Sequence, residues 1–403
     1  MLPRVKIDFS NGALGSVSPS ADCVVGLICT AAPVPEKLVL ATPYILFALD
    51  DVANLGVTAS TDDANAFLYK QVKEFYDQAG SGAELWLYCL PAAVKPSESV
   101  DVSADYAKDF IKQANGRLRC LAVAFKPASG YAATIENGLD ADVMTAAHNA
   151  QALAEWATNT LYAPLFVLIE GRGYTKENIV ALPDLTENGY NRVGILVGDT
   201  MPNSDGAAIG LLAGRVAECP VQRHIGRVRD GALNILKAYI GGEDAAVANV
   251  ETLNDKGFIT FRTFTGKSGY FFADDNLATA AKDDYRSIAR RRTIDKAFRI
   301  CYATMLEHVC DEIPVTDEGK MVPSIAKSWE TEIVTAIANE MTANGELGND
   351  PADSNDKGVK CYIDHDQNVL ATSQVNVTVQ VKPYGYAKYI NVELGFITTN
   401  TEE

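Results

Sequence analysis

Three short stretches of the chain carry residue types that do chemistry in other proteins. "TGKSGY", Thr265 to Tyr270, holds a Gly-Lys-Ser of the kind that wraps a phosphate with backbone N–H groups and a lysine. That loop needs a glycine five positions ahead of Gly266, where Phe261 stands, so a hairpin turn is expected instead. "GRGY", Gly171 to Tyr174, follows an apolar run but lacks the GxGxxG pattern of a dinucleotide site. "DPADSND" gathers Asp350, Asp353 and Asp356, carboxylates that suit calcium, yet it has neither the D-x-D-x-D-G spacing nor a closing glutamate and reads as a solvated loop. No G-x-S-x-G elbow is present, and none of the four histidines (His148, His224, His308, His365) stands in a suggestive frame with a serine or cysteine. The eight cysteines are scattered without a CxxC pair, so a zinc site would have to be assembled from distant parts of the chain. No catalytic, cofactor-binding or metal residue is expected, and the chain reads as a non-enzyme.

The charge pattern is more informative. "YRSIARRRTIDKAFRICYAT", residues 285–304, is the densest basic stretch in a chain whose formal net charge is -17. At 3.6 residues per turn, Ile294, Phe298, Cys301, Met305 and Val309 form one apolar stripe that predicts docking on a core. Arg292, Lys296 and Arg299 repeat on the far side, with Arg286 and Arg290 one turn earlier on a flank. The expectation is a cationic row facing away from the docked side, available to an acidic neighbour. Exposed charges of that kind contribute about 0–1 kcal/mol to folding, so their reversal is expected to spare the single chain. Three readings compete for the row: internal salt bridges, nucleic acid, and an acidic partner subunit. Nucleic acid is disfavoured because no base-stacking aromatics interleave the arginines and a sequence pI of about 4.7 repels phosphate.

These residues need elements to hold them. At 403 residues and 47% hydrophobic composition, the chain can build two or three cores. No segment approaches the roughly 18 unbroken apolar residues of a membrane span, and no signal peptide opens the sequence, which predicts a cytosolic product with reduced thiols. "RVKIDFS" alternates Val5, Ile7 and Phe9 with polar neighbours ahead of a Gly/Ser lead, as a detached strand would. From about Leu118 to Gly198, apolar runs alternate with helical patterns and predict a parallel sheet with helical cover. A glycine hairpin precedes the basic helix, an amphipathic helix and a polar loop follow it, and alternating strands end in "YINVELGFITT", with Ile390, Val392, Leu394 and Phe396 on one face.

Together these features resemble the contractile tail sheath proteins of phages and phage-derived injection systems. "LNDKGFITFRTFTGKSGYFFADDNLA" followed by "DYRSIARRRTID" carries the likeness: Leu253, Asn254, Gly257, Ile259, Arg262, Phe264, Gly266, Gly269, Arg286, Ile288, Arg290, Arg291 and Arg292 stand at the places of the family's glycine hairpin and arginine helix. "VVGLICTAAPVPEKLVLATPYILFALDDVANLG", ending in Leu55 and Gly56, "GAAIGLLAGRVAECPV" and "VKPYGYAKYINVELGF" resemble further sheath segments, so that the likeness runs from about Val24 onward. "YFFADDNLA" replaces the usual Trp and G-x-R-T after the hairpin, and the variant resembled in detail is the divergent Bacteroidetes-type group.

The resemblance implies an α/β and α+β, multi-domain tail-sheath fold with extended N- and C-terminal strand arms. The expected divisions are a donor-strand arm at 1–20, the first part of the core at 21–117, an outer α/β domain at 118–200, an inner sheath domain at 201–380 and a second arm at 381–403. The implied function is a structural subunit that polymerises as stacked hexameric rings around an inner tube and contracts without a cofactor. Its implied partners are copies of itself, the inner tail tube protein, and baseplate and terminator proteins, with no nucleic acid and no membrane insertion. The implied locations are the bacterial cytoplasm during assembly and then a virion tail or contractile injection particle. Arg286, Arg290, Arg292, Lys296 and Arg299 become candidate intersubunit or tube contacts, and Val5, Ile7, Phe9, Ile390, Val392, Leu394 and Phe396 candidate donor-strand residues. The alternatives are another phage structural component, baseplate or capsid, and a Rossmann-like α/β enzyme.

Overall fold

Five apolar runs without polar interruption become strands buried on both faces, which only a helix-covered parallel sheet provides. In a computed structural model, which describes residues 21–62 and 67–396, these are β1 (Val25–Thr30), β3 (Leu85–Leu90), β4 (Cys120–Ala124), β5 (Phe166–Glu170) and β6 (Val193–Leu196). The short strand β2 (Pro43–Leu46) runs antiparallel to β3 and closes one edge, giving the order β2-β3-β1-β4-β5-β6. β1 is flanked on both sides, with Ile28 opposite Tyr88 of β3 and Val123 of β4. Beyond β6 the sheet is prolonged by Ile259, whose N–H and C=O bond Ile195 O and Val197 N at 2.9 Å each.

Helices α1 (Leu68–Ala79), α2 (Asp142–Leu161) and α3 (Ile209–Glu218) cover this sheet. α3 lies over β1, β4 and β5 and presses against α1, while α2 packs on β5 and β6. The α1–α3 approach depends on two glycines. A Cβ at Gly210 would sit 2.0 Å from Gln71 O, and one at Gly214 would sit 2.6 Å from Phe75 O. The expected glycine-rich helix therefore has a mechanical reason: the bare faces of Gly210 and Gly214 let two backbones touch.

The second unit is smaller. It begins after two-residue strands β7 (Phe261–Arg262) and β8 (Phe271–Phe272), which belong to the main core, pair across the "TGKSGY" turn as the sequence predicts, and lead to α4 (Ile288–Leu306). α5 (Pro323–Ile337) opens on a proline and runs into a π-helical turn at Ala338–Thr342. The hairpin of β9 (Val359–Ile363) and β10 (Val377–Val381) completes the unit. Ile300, Ile333, Ile337, Met341 and Val359 form the core shared by α4, α5 and this hairpin. Among the described residues no helix is long and apolar enough to cross a membrane.

The internal boundaries differ from those expected at 117/118 and 200/201. β1 pairs with β3 and with β4, and one continuous apolar core runs from Val24 to Ile288, so residues 21–117, 118–200 and the first part of 201–380 belong to one body. The sequence shows that β1 is a buried strand, but it does not show which strands satisfy its two edges. The N-terminal arm, with Val5, Ile7 and Phe9, lies outside the described residues.

Replacing Gly210 by Ala tests the close packing. Ala in an exposed helix position gains about 1 kcal/mol over Gly, whereas overpacking costs about 1–3 kcal/mol or more. Urea unfolding is expected to show a net loss of about 2 kcal/mol for Gly210→Ala, and a gain would show that α1 and α3 do not touch there.

Candidate functional site

α4 starts where Ser287 turns its hydroxyl back to accept Arg290 N–H, and Asp275 receives Ile288 N–H at its carbonyl (2.9 Å) and Ala289 N–H at its carboxylate (3.2 Å). An acidic side chain at a helix N-terminus is favoured by both hydrogen bonding and the helix dipole. From this fixed start, the helix runs between the main body and the α5/β9–β10 unit, so both of its long faces are covered.

The cationic row consequently points inward, against expectation. Arg292 and Lys296 are only 4% and 6% exposed. Arg292 Nη2 donates to Cys219 O at 2.9 Å and Nη1 to Pro220 O at 3.4 Å. Lys296 Nζ lies 2.7 Å from both Asp22 Oδ2 and Glu346 Oε2, and Arg299 Nη2 lies 2.9 Å from Asp22 Oδ1. Burial alone would raise the Asp22 carboxyl, yet Lys296 and Arg299 together hold it below its ordinary value. One turn over, Arg192 forms a two-pronged pair with Asp295 at 3.0 and 3.2 Å, both side chains buried. Arg291 stacks over the Tyr285 ring at 4.1 Å.

The apolar stripe is divided rather than docked as a whole. Cys301 and Met305 pack on the second core, Ile294 and Phe298 are half-buried, and Val309 is 65% exposed. Ile288, Ala289, Ala297 and Ile300 do the burying instead. Periodicity separates two faces of a helix, but when a chain keeps carboxylates to match the cations, the charged face can be the inner one. Arg286 and Arg290 remain half-buried and make no ion pair among the described residues. Arg286 Nη1 donates to Ala281 O at 3.0 Å, and Arg290 lines an open groove of about 1030 Å³ between α4 and the hairpin, with Ile294, Val379 and Val381.

The C-terminal segment is tied at its root and loose beyond it. Lys382 N donates to Gly358 O at 2.8 Å and its ammonium meets Asp356 at 2.8 Å. Tyr386 OH donates to Gln222 O at 2.6 Å and its ring leans on His224. Lys388 is ion-paired with Asp274 and lies 3.7 Å from Asp275 Oδ1. Among the described residues past this point, up to 396, no strand forms, and exposure rises from 76% at Ile390 and 78% at Val392 to 93% at Leu394 and 103% at Phe396.

His224, Asp274 and Asp275 are the residues whose positions could hold a metal, their ligand atoms all lying within 4.8 Å of one another. The cluster already has cations of its own. Lys388 stands on the carboxylates, and His224 Nε2 lies 2.9 and 3.1 Å from Asp274 and Asp275. Burial disfavours a charged ring, but the two carboxylates outweigh it and raise His224 to about 9. Gly226 N–H, 3.0 Å from Nδ1, works against that charge because it needs a lone pair there. The sequence reading missed this cluster and also Asp22; the paired "DD" of "FFADDNLA", the lone Lys388 in an alternating apolar run and an acid next to a buried strand were its only traces.

The crevice at the carboxyl ends of β4 and β5, where open α/β sheets hold ligands, is filled from within. Glu170, buried, accepts Phe125 N–H at 3.0 Å and Ala207 N–H at 3.3 Å just ahead of α3, with Arg172 Nη1 at 3.5 Å. Lys70 pairs there with Glu74 and Asp199. The place of a cofactor anion at the helix N-terminus is taken by the protein's own carboxylate, which is the physical objection to a Rossmann-like enzyme. "DPADSND" is likewise self-satisfied: Asp350, Asp353 and Asp356 accept nearby backbone N–H groups at 2.9–3.0 Å.

The family described as DUF2586 matches nearly the whole length, its N-terminal domain over residues 2–276 and its C-terminal domain over 284–401. The chain belongs to the DUF2586 family. The two DUF2586 domains meet just before α4, where the main core also ends. Among solved structures, the fold is similar to the helical sheath of the anti-feeding prophage in its contracted state (16% identity, 98% of this chain and 99% of that one, TM-score 0.63). It is similar also to the PVC sheath complex of an extracellular contractile injection system (16%, 98% and 97%, TM-score 0.58). A sheath tail protein from Desulfitobacterium hafniense shares it more distantly (10%, 90% and 93%, TM-score 0.50). No curated protein sequence matches. This DUF2586 chain therefore has the expected mixed α/β, multi-domain fold of contractile sheath subunits.

Because the cations on α4 are matched inside the chain, their loss is expected to unfold it. Removing one partner of a buried pair costs about 3–5 kcal/mol, so Arg192→Met is expected to lower unfolding stability by about that much, as is Lys296→Glu, which also sets a like charge on Asp22 and Glu346. An unchanged chemical denaturation midpoint for Lys296→Glu would return the row to the surface, and one for Arg192→Met would contradict the buried pair with Asp295.

Proposed function

We propose that the chain is a structural subunit of a contractile sheath, polymerising through exchanged strands as stacked hexameric rings around an inner tube and contracting to drive that tube forward. The observation that carries this reading is the segment 389–396, an alternating apolar strand pattern left almost fully exposed in a chain whose fold is that of sheath subunits. A strand in that state is stable only when a second sheet edge supplies its hydrogen bonds. Among the described residues the β9–β10 hairpin has two strands and an edge free to pair, with the groove beside α4 running along it. Ile390, Val392, Leu394 and Phe396 are the proposed donor residues, with Val5, Ile7 and Phe9 as the corresponding group at the other end. Arg290, at the groove, and Arg286, one turn earlier, are the proposed contacts to a neighbouring copy or the tube, whereas Arg292, Lys296 and Arg299 are spent on the chain's own carbonyls and acids.

The reading makes the protein a non-enzyme without cofactor. Its further partners are the tube, baseplate and terminator proteins, and its place is a virion tail or injection particle after assembly in the bacterial cytoplasm. The energy of contraction is then a difference between two sets of subunit contacts and needs no nucleotide. Part of the segment proposed for the outer surface, residues 127–134 between β4 and α2, is loop and mostly exposed.

Deleting residues 389–403 is expected to leave a soluble chain with an unchanged unfolding midpoint that no longer sediments as polymer. A compact tag inserted between Ser129 and Gly130 is expected to leave polymers intact and to project outward from them. Long tubes from the truncated chain, or tag density facing the central channel, would contradict the proposal.

A further inference from the structure

The roots of both chain ends converge on α4. Asp275 binds the first turn of that helix through Ala289 N–H, and the same carboxylate, with Asp274 and His224, faces the ammonium of Lys388. Asp275 is completely buried, and its Oδ1 has no well-aligned hydrogen bond beyond these approaches, so the pocket is built to take a cation from the segment that passes over it. Two turns along, Asp22 is held by Lys296 and Arg299, and Arg119 Nε donates to Ala21 O at 2.9 Å. At about 1.5 Å per residue, Ala289 and Lys296 are separated by about 10 Å of helix. Beyond the first joint, residues 389–396 are exposed.

We propose that the His224–Asp274–Asp275 pocket is a lysine receptor that pins the root of the C-terminal segment to the start of α4, and that Asp22 pins the N-terminal root to the middle of the same helix. One rigid element thus takes the load from both ends. The receptor recognises an ammonium on a tyrosine-flanked segment: Tyr386 OH holds the segment on Gln222 O, the backbone turns so that Lys388 N–H donates to Tyr386 O at 3.0 Å, and Lys388 enters the pocket. Lysine suits the site because its point charge on a flexible stem can meet two carboxylates on different sides. A divalent cation would need the same oxygens and would compete with it. The proposal rests on the sheath reading for its purpose, since load on chain ends arises only in a polymer, but the joints themselves belong to the single chain.

The test therefore uses unpolymerised full-length protein and two local probes: chymotryptic cleavage after Tyr386, and alkylation of the half-buried Cys23 beside Asp22, both followed by mass spectrometry. Lys388→Met is expected to speed cleavage at Tyr386 about tenfold, the factor that corresponds to about 1.4 kcal/mol, while Cys23 reacts as before. Lys388→Arg is expected to restore most of the protection. Asp22→Asn is expected to speed Cys23 alkylation by a similar factor without affecting Tyr386. Unchanged cleavage in Lys388→Met would overturn the receptor, and equal acceleration at both probes by either variant would show general loosening rather than two joints. Zinc ions that bind the wild-type chain and expose Tyr386 would reassign the pocket to a metal. Polymer formation by the same samples is scored separately, so a failure of the sheath reading leaves the two-joint result standing.

Discussion

A helix buried on both sides cannot leave its cations unmatched, and this constraint organises the molecule. Taking an ammonium or guanidinium out of water costs several kcal/mol unless opposite charges and carbonyls replace the hydration. For α4 the replacements come from far along the chain: Asp22 ahead of β1, Arg192 at the start of β6 closing on Asp295, Cys219 O after α3, and Glu346 beyond α5. Each match ties another part of the fold to the helix. The parallel sheet, the small C-terminal unit and the roots of both ends are consequently fixed relative to one element, which is what a subunit needs if neighbours are to pull on its ends without distorting its core.

The parts of this arrangement legible in the sequence were those set by local pattern. Unbroken apolar runs predicted the buried strands, the failed phosphate loop predicted a turn, and the alternating residues Ile390, Val392, Leu394 and Phe396 are exposed among the described residues. The direction of the cationic row was not legible. Arg292, Lys296 and Arg299 share a face at any orientation of the helix, and whether that face meets solvent depends on Asp22 and Glu346, which are 270 or more residues before it and 50 after it. The strand order was not legible for a similar reason: β1 recruits one neighbour from each side of the expected 117/118 division, and hydrogen-bond partners of a parallel strand leave no mark on the strand itself.

The same internal matching fills the crevice at the carboxyl ends of β4 and β5. Glu170 occupies the helix N-terminus that would receive an anion, and Lys70 is locked between Glu74 and Asp199. Among the described residues, the apolar stretch after Lys388 is left exposed and the β9–β10 hairpin pairs with no third strand. Unmet apolar surface and unmet backbone hydrogen bonds point to assembly, in agreement with a fold shared over almost the full length with sheath subunits.

The central claim, that α4 is an internal anchor from which the chain ends reach to other copies, is tested most directly by cryo-electron microscopy of the purified polymer at side-chain resolution. The account predicts residues 389–396 of one copy as a strand on the β9–β10 hairpin of another, with Lys296 still on the Asp22 of its own chain. A polymer in which that segment folds back on its own subunit, or in which Arg292, Lys296 and Arg299 swing out to contact a second molecule, would contradict it.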